Sequence, residues 1–575
     1  MADLNVSKAT ISGLLTLPGQ RKYVIPDYQR PYKWDIDKCQ TLWQDLTSFF
    51  EEQRPDLNSD AEYYLGTIVT CASNLKSGNR EVIDGQQRLT TFFLLLRAFY
   101  KKLEGMPSTD LTVIGLKSQI APCIWEVNAI TQQVDDPTKI RIESHVATAD
   151  DNNTFHEILR TGIAADKATD LYSQNYRFFL SECNSYAQAI PLRWEALCVS
   201  ILKNCIILPI ECGDFDRALD IFSTLNDRGM PLSDSDIFKA RIYKGKADGE
   251  PRTQFTAAWK QLTETVARAK LSLDDIFRYY THVIRARAGD KGKEIGLRKF
   301  YAGKMGKFEH LHAGNLMADL QDLANFWTEA RSPLDSTERV PSISLETRKL
   351  LHCFTCYPND YWKYITSVYY FANRELPDFD LQFCDFLRKL MAYMFVKFLE
   401  KPTVNAIKDP CFQFCVNVHA QNPLSSRDDL PSDFRDILLR AHGSWLSRAL
   451  VLLHAYLNPN QKSLLPSNFQ TEHIFPRQWQ ANNYYNWTEE TAKEFLDNFG
   501  NYVAIEAKLN AKVNNDYFAR KKKQYAATSK VANVLALAAY DGDAWLKEDI
   551  LAREAQFASD ICNFFSEHFI SVGLS

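Results

Sequence analysis

Glu472-His473-Ile474-Phe475-Pro476 sets a carboxylate directly before an imidazole, and Asn501 and Asn510 follow downstream. Those types in that order are the residue set of a metal-dependent nuclease hairpin. A neutral imidazole activates water, while a carboxylate and an amide oxygen hold one hard divalent cation. A second group, Ile83-Asp84-Gly85-Gln86-Gln87-Arg88, lies far upstream. Gly85 permits a tight turn, the next amides open a helix whose N-terminus attracts anions, and Arg88 with Arg30 could grip phosphate oxygens bidentately. Arg30 belongs to Ile25–Trp34, a loop dense in polar and aromatic groups. On spacing alone, ion pairs of Arg30 and Arg88 with Asp27, Asp35 or Asp84 account for the same residues. A lone histidine in such a segment is commonly a satisfied structural one.

Positioning these groups takes more than one core, because 575 residues exceed what a single domain supports. Three divisions are expected: residues 1–245, 246–440 and 441–575. In the first, Lys22–Ile25, Tyr64–Thr70 and Glu81–Ile83 read as strands, the last running straight into Asp84-Gly85. From Gln87 a helix begins that is apolar on most faces through Leu96, hence well buried. Residues 101–165 are mixed and polar, an insertion or helical subdomain. Cys205–Glu211 suits a buried strand, with Pro209 favouring an edge. Asp216–Asn226 has helical periodicity closed by Gly229, and Ser233 with Asp236 forms a capping box for the next helix.

Residues 250–440 read as almost entirely helical, over Trp259–Ala267, Leu273–Ala286, Leu316–Ala330, Tyr361–Asn373 and Leu381–Leu399. Pro- and Asp-rich breaks at Ser332–Pro341 and Asn422–Pro431 punctuate them. The helix Trp445–Tyr456 then leads to the histidine motif, strand-like Tyr502–Ile505, a polar asparagine and lysine stretch, and terminal helices. The fold class is therefore mixed but mostly α.

A formal net charge of −4 excludes a protein that coats nucleic acid through global charge, so contacts must come from local patches. The strongest basic cluster is Arg520-Lys521-Lys522-Lys523. It reads either as a solvated helix face or as a surface for DNA phosphates, whose contacts position a duplex without reading sequence. Trp479, Tyr484, Tyr485 and Trp487 read as core or loop packing. Thirteen cysteines are expected as reduced, mostly buried thiols. Cys353, Cys356, Cys411 and Cys415 could instead furnish a four-thiolate zinc site. The start does not read as a leader and no apolar run reaches spanning length, so a cytoplasmic chain away from membranes is expected.

The segments Ile25–Trp34 and Tyr63–Thr91 resemble the amino-terminal domain of GmrSD-type modification-dependent restriction enzymes, whose Asp-Gly-Gln-Gln-Arg box belongs to a ParB/sulfiredoxin-like fold. Ile221–Gly229, continuing through Leu232, Asp236, Ile237 and Lys239, is similar to that family's second block. The resemblance spans roughly residues 10–245, with three blocks in family order. It implies an α+β domain that binds and hydrolyses a nucleoside triphosphate and senses modified DNA. The implied nucleotide contacts are Asp84, Gly85, Gln86, Gln87, Arg88, Arg30 and Asn226.

Residues 440–560 resemble the family's carboxy-terminal HNH (His-Me finger) domain, a ββα-metal fold, here without zinc. By that resemblance His473 is the general base, Glu472 and Asn510 coordinate Mg²⁺ or Mn²⁺, and Asn501 orients the His473 ring or the loop. Asn514 and Asn515 compete with Asn510 for the helix position, and Glu472 stands where Asp or His is frequent. The chain is thus expected to be a defence nuclease acting on modified, double-stranded phage DNA, with a homo-oligomer possible. Residues 246–440 would couple its two ends. The alternative is a nucleotide-regulated DNA-binding or scaffold protein without nuclease activity.

Overall fold

The computed structural model describes residues 4–53, 61–71, 78–146, 149–191, 193–215, 217–219, 221, 233–303, 308–331, 343–403, 405–422, 430–479, 484 and 487–569. The chain is mostly helical, with one mixed sheet and one two-stranded hairpin among the described residues. It divides into two compact units, Met1–Thr256 and Ala257–Ser575. The expected coupling region beyond residue 257 and the carboxy-terminal division therefore share one unit.

The first unit is built on seven strands: β1 (Leu4–Val6), β2 (Ala9–Thr10), β3 (Tyr23–Ile25), β4 (Tyr63–Cys71), β5 (Arg80–Asp84), β6 (Ile142–Ser144) and β7 (Cys205–Cys212). Their order is β1-β7-β4-β5-β3-β6, with β2 also on β7. The three expected strands before residue 85 are present within a residue or two. β3 runs parallel to both β5 and β6, so these three end on the same side of the sheet. The helix Gln86–Glu104 follows β5 directly and is buried along most of its length, including Leu89, Phe92, Phe93, Leu94, Leu95 and Leu96. Such a sequence has no solvent face to offer; each of these side chains gains about 1.5–3 kcal/mol by leaving water.

Residues 101–165, expected as an insertion or helical subdomain, also send β6 to the sheet edge beside β3. One expectation is corrected here. β7 is not an edge strand despite Pro209, since it pairs with β4 on one side and with β1 and β2 on the other. The reason is local. β1 covers Ile210–Cys212 and β2 covers Ile206 and Ile207, so Pro209 lies opposite the break between them. A missing N–H costs little where no continuous partner strand asks for it. The helix Asp234–Lys244 begins with the expected Ser233–Asp236 capping box. The expected helix Asp216–Asn226 with its Gly229 cap lies largely outside the described residues, as does Asn226 itself.

In the second unit, Leu273–Arg287, Leu316–Arg331, Tyr361–Asn373 and Phe379–Glu400 are helices at the expected places. They pack through aromatic contacts such as Tyr369 on Phe386, with centroids 3.9 Å apart. The expected breaks at 332–341 and 422–431 fall almost wholly outside the described residues. The helix expected from Trp445 starts at Ser447, leaving Trp445 exposed. All thirteen cysteines are free thiols, eleven of them buried. Among the described residues no group of three or more His, Cys, Asp or Glu side chains is arranged for a metal, which removes the four-thiolate option. No described helix is long and apolar enough to cross a membrane.

β8 (Gln470–His473) and β9 (Tyr502–Ile505) form the antiparallel hairpin, and the helices Ala507–Val513, Phe518–Thr528 and Lys547–His568 follow. β9 coincides with the strand expected from sequence. The turn before it is held tightly: a Cβ on Gly500 would lie 1.9 Å from the carbonyl oxygen of Ile550.

Candidate functional site

Register decides what the hairpin offers. His473 pairs across to Tyr502 and Glu472 to Val503, and neighbours on a strand point to opposite faces. The His473 ring therefore meets Tyr502, edge to face at 4.9 Å, on the open side. There its Nε2 lies 3.1 Å from Asp497 Oδ1 and 3.2 Å from Arg477 Nε. Tyr502 Oη donates to the same Asp497 oxygen at 3.0 Å, and Arg477 Nη2 lies 3.3 Å from it. Burial pushes the His473 pKa down, against the hydrogen bond to Asp497, so the ring is neutral at neutral pH. Burial alone would raise the Asp497 pKa, but hydrogen bonds from His473, Tyr502 and Arg477 outweigh it and the carboxyl is lowered. The ring nitrogen serves two states. Unprotonated, Nε2 accepts from Arg477; protonated, it donates to Asp497.

Glu472 faces the other way. It is 5 % exposed, and the ammonium of Lys521, itself 0 % exposed, sits 2.6 Å from its Oε1. The same ammonium donates to the carbonyl oxygens of His473 at 2.8 Å and Ile474 at 3.4 Å, and Tyr525 Oη donates to Glu472 at 3.2 Å. Burial raises the Glu472 pKa and lowers that of Lys521, each opposed by the partner's charge. Glu472 is thus not a free cation ligand beside the histidine: the chain's own ammonium already fills that seat. Lys521 equally leaves the basic cluster. Helical spacing turns it inward while Arg520, at 71 % exposure, and Lys523 face solvent. Lys522 is largely covered and bonds the carbonyl of Gly542 at 2.9 Å.

Asn501 is fully buried and ties the turn after β8. Its Oδ1 accepts from the Phe475 amide at 2.7 Å, and its Nδ2 donates to the carbonyls of Phe475 and Leu496 at 3.0 and 2.9 Å. It orients the loop, one of the two roles expected of it. Asn510 stands on Ala507–Val513, and its Oδ1 is buried with no hydrogen-bond partner. Asn515 is engaged with Gln478 through both backbone and side chain. Trp479, Tyr484 and Trp487 pack on Phe475, Trp487 stacked at 4.0 Å; Tyr485 lies outside the described residues.

In the first unit the carboxyl ends of β5, β3 and β6 bring together the loops after Asp84, Ile25 and Ser144. Gly85 has φ +86°, and a Cβ there would meet Ile68 Cγ1 at 2.7 Å. Gly85→Ala is expected to cost about 1–3 kcal/mol and to lower the unit's thermal midpoint by several degrees; an unchanged melt would contradict this turn. Gln86 and Gln87 hold the Arg30 loop with their side chains. Gln86 donates to the Arg30 carbonyl at 2.9 Å, and Gln87 bonds the Pro31 carbonyl and the Lys33 amide. Arg88 donates to the Thr67 carbonyl at 2.9 Å, lying over Gly66, where a Cβ would come within 2.9 Å of its Nη1. Burial raises the Asp84 pKa, with Arg88 and Arg30 acting against it. Arg30 pairs with Asp236 at 3.3 Å, and Lys239 reaches the carbonyl of Asp27 at 3.1 Å.

Asp497, Arg477 and the facing hydroxyl of Tyr502 are the site residues that sequence reasoning missed. Arg477 directly follows the histidine segment, which was a usable signal. Asp497 carried none beyond its place just ahead of Gly500-Asn501.

A family profile described as the GmrSD restriction endonuclease, N-terminal domain, matches residues 11–243. A second, described as the GmrSD restriction endonucleases, C-terminal domain, matches residues 425–559. No curated protein matches the chain.

Proposed function

The chain belongs to the GmrSD restriction endonuclease family, and from that premise we propose that it hydrolyses the phosphodiester backbone of modified, double-stranded phage DNA. The observation that carries this reading is the His473 ring on the hairpin, neutral, recessed and backed by Asp497. His473 takes a proton from the attacking water, and Asp497 accepts the hydrogen bond of the imidazolium that results. Asn501 holds the strand end that carries the base. Hairpin and following helix are read as an HNH (His-Me finger) domain over 441–575.

Mg²⁺ or Mn²⁺ is proposed as cofactor on donor chemistry. Asn510 Oδ1, a buried amide oxygen without a donor, suits a hard cation, whereas Glu472 does not fit while Lys521 occupies it. Such an ion would neutralise charge developing on the phosphate. Chelation by EDTA is expected to stop plasmid cleavage, and cutting in its presence would remove the cofactor from the proposal.

Residues 1–245 are proposed as a ParB/sulfiredoxin-like domain that senses the modification and turns over a nucleoside triphosphate, with 246–440 coupling it to the nuclease. What supports this is the convergence of Asp84, Arg88, Arg30 and Lys239 at the carboxyl edge of parallel strands, where open α/β sheets place their ligands. The side chains of Gln86 and Gln87 position the loop, so their contacts to phosphate are through backbone amides at the helix start. Arg88→Ala is expected to lower phosphate release from ATP, GTP or UTP at least tenfold with the circular dichroism unchanged. Undiminished turnover would detach this edge from nucleotide chemistry.

A further inference from the structure

Arg477 has no part in the reading above. Asn501 folds back the turn after β8 by bonding both sides of Phe475, and this returns Arg477 over the imidazole, Nε 3.2 Å from His473 Nε2. Its side chain is 64 % exposed, while the His473 side chain is only 15 % exposed. The cation therefore stands outside the ring, on the side from which a DNA backbone must approach. A guanidinium carries five N–H donors in a planar fork that matches phosphate oxygens, more than its contacts with His473, Asp497 and Tyr502 use.

We propose that Arg477 is a catalytic residue of the hairpin, gripping a non-bridging oxygen of the scissile phosphodiester. The proposal rests on the nuclease reading of His473. In the step, the water oxygen bonds to phosphorus and the bond from phosphorus to the leaving sugar oxygen breaks. As Arg477 Nε–H turns from His473 Nε2 to the phosphate, it frees the lone pair that takes the water proton, and the leaving alkoxide takes a proton from solvent. Negative charge grows on the non-bridging oxygens as the fifth bond forms, and a fixed donor aimed there accelerates such reactions by about 10²–10³-fold. Contact with phosphate alone carries no base selectivity, so Arg477 serves cleavage of any sequence that the chain is licensed to cut.

The test uses the full chain with Mn²⁺ and a nucleoside triphosphate, on DNA from a phage with modified bases beside supercoiled plasmid. It compares single-turnover cleavage and DNA affinity for wild type, Arg477→Ala, Arg477→Lys, Asp497→Asn and His473→Ala. Arg477→Ala is expected to cut about 100-fold more slowly with DNA affinity nearly unchanged, Arg477→Lys to recover part of the loss, and added guanidinium ion to rescue the alanine variant. A cleavage rate close to wild type in Arg477→Ala, with His473→Ala inactive, overturns the assignment and leaves the nuclease reading standing. A loss equal to that of Asp497→Asn without guanidinium rescue also overturns it, making Arg477 a holder of Asp497 only. Equal cutting by wild type and His473→Ala, or none by wild type, removes the nuclease reading and this proposal with it.

Discussion

His473→Ala is expected to abolish DNA cleavage while leaving the hairpin folded. A positioned general base contributes about 10²–10⁴-fold, and alanine removes both the proton acceptor and the imidazolium that Asp497 would support. The cost to folding is small by comparison. The ring is held by one edge contact to Tyr502 and by groups at the rim, while the strand itself is fixed by β9 and by the ammonium of Lys521 on its carbonyls. Plasmid cleavage, thermal melting and nucleotide turnover measured on one preparation check all three statements. Retained cleavage with an intact melt would take the base assignment from His473.

Lys521→Met is expected to have the largest effect on stability. It leaves Glu472 buried with the Tyr525 hydroxyl and a backbone hydrogen bond at His473 but no counter-charge, and breaking a buried ion pair by removing one member costs about 3–5 kcal/mol. In a unit of this size that amounts to a fall on the order of 10 °C in the melting midpoint. Adding Glu472→Gln should return much of it, because the stranded charge goes with the carboxylate and the amide can still accept from Tyr525. A single variant as stable as wild type would mean that the ammonium is not needed to neutralise Glu472. A double variant no better than the single one would mean that Lys521 acts chiefly through the carbonyls of His473 and Ile474.

Much of the fold was legible because long apolar runs admit few readings. Leu89–Leu96 has no polar face, so it had to be a buried helix, and β5 before it was marked by the Asp84-Gly85 turn. What could not be read was pairing across sequence distance. Nothing near Pro209 reveals that its neighbouring strand is interrupted between β1 and β2, and nothing in residues 101–165 announces that Ile142–Ser144 extends the sheet. At the hairpin His473 ends β8 and Asn501 lies in the turn before β9, and such adjacency to strand and turn is local information. Glu472 failed for a physical reason that motif reading ignores: alternate residues of a strand face opposite ways, and which face is open depends on what packs behind it. Lys521 looked like one of four surface cations until the helix phase turned it inward.

The closing of the first sheet bears on the order in which the protein matures. β7 joins β1 and β2 to β4, so the sheet is incomplete until Cys212 has been made, and among the described residues no later strand enters it. At roughly 5–20 residues per second on a ribosome, the stretch from Cys212 to His473 takes on the order of tens of seconds. The amino-terminal unit is therefore finished well before the hairpin that carries His473 exists, and each newborn chain holds its proposed sensor ahead of its proposed cutter.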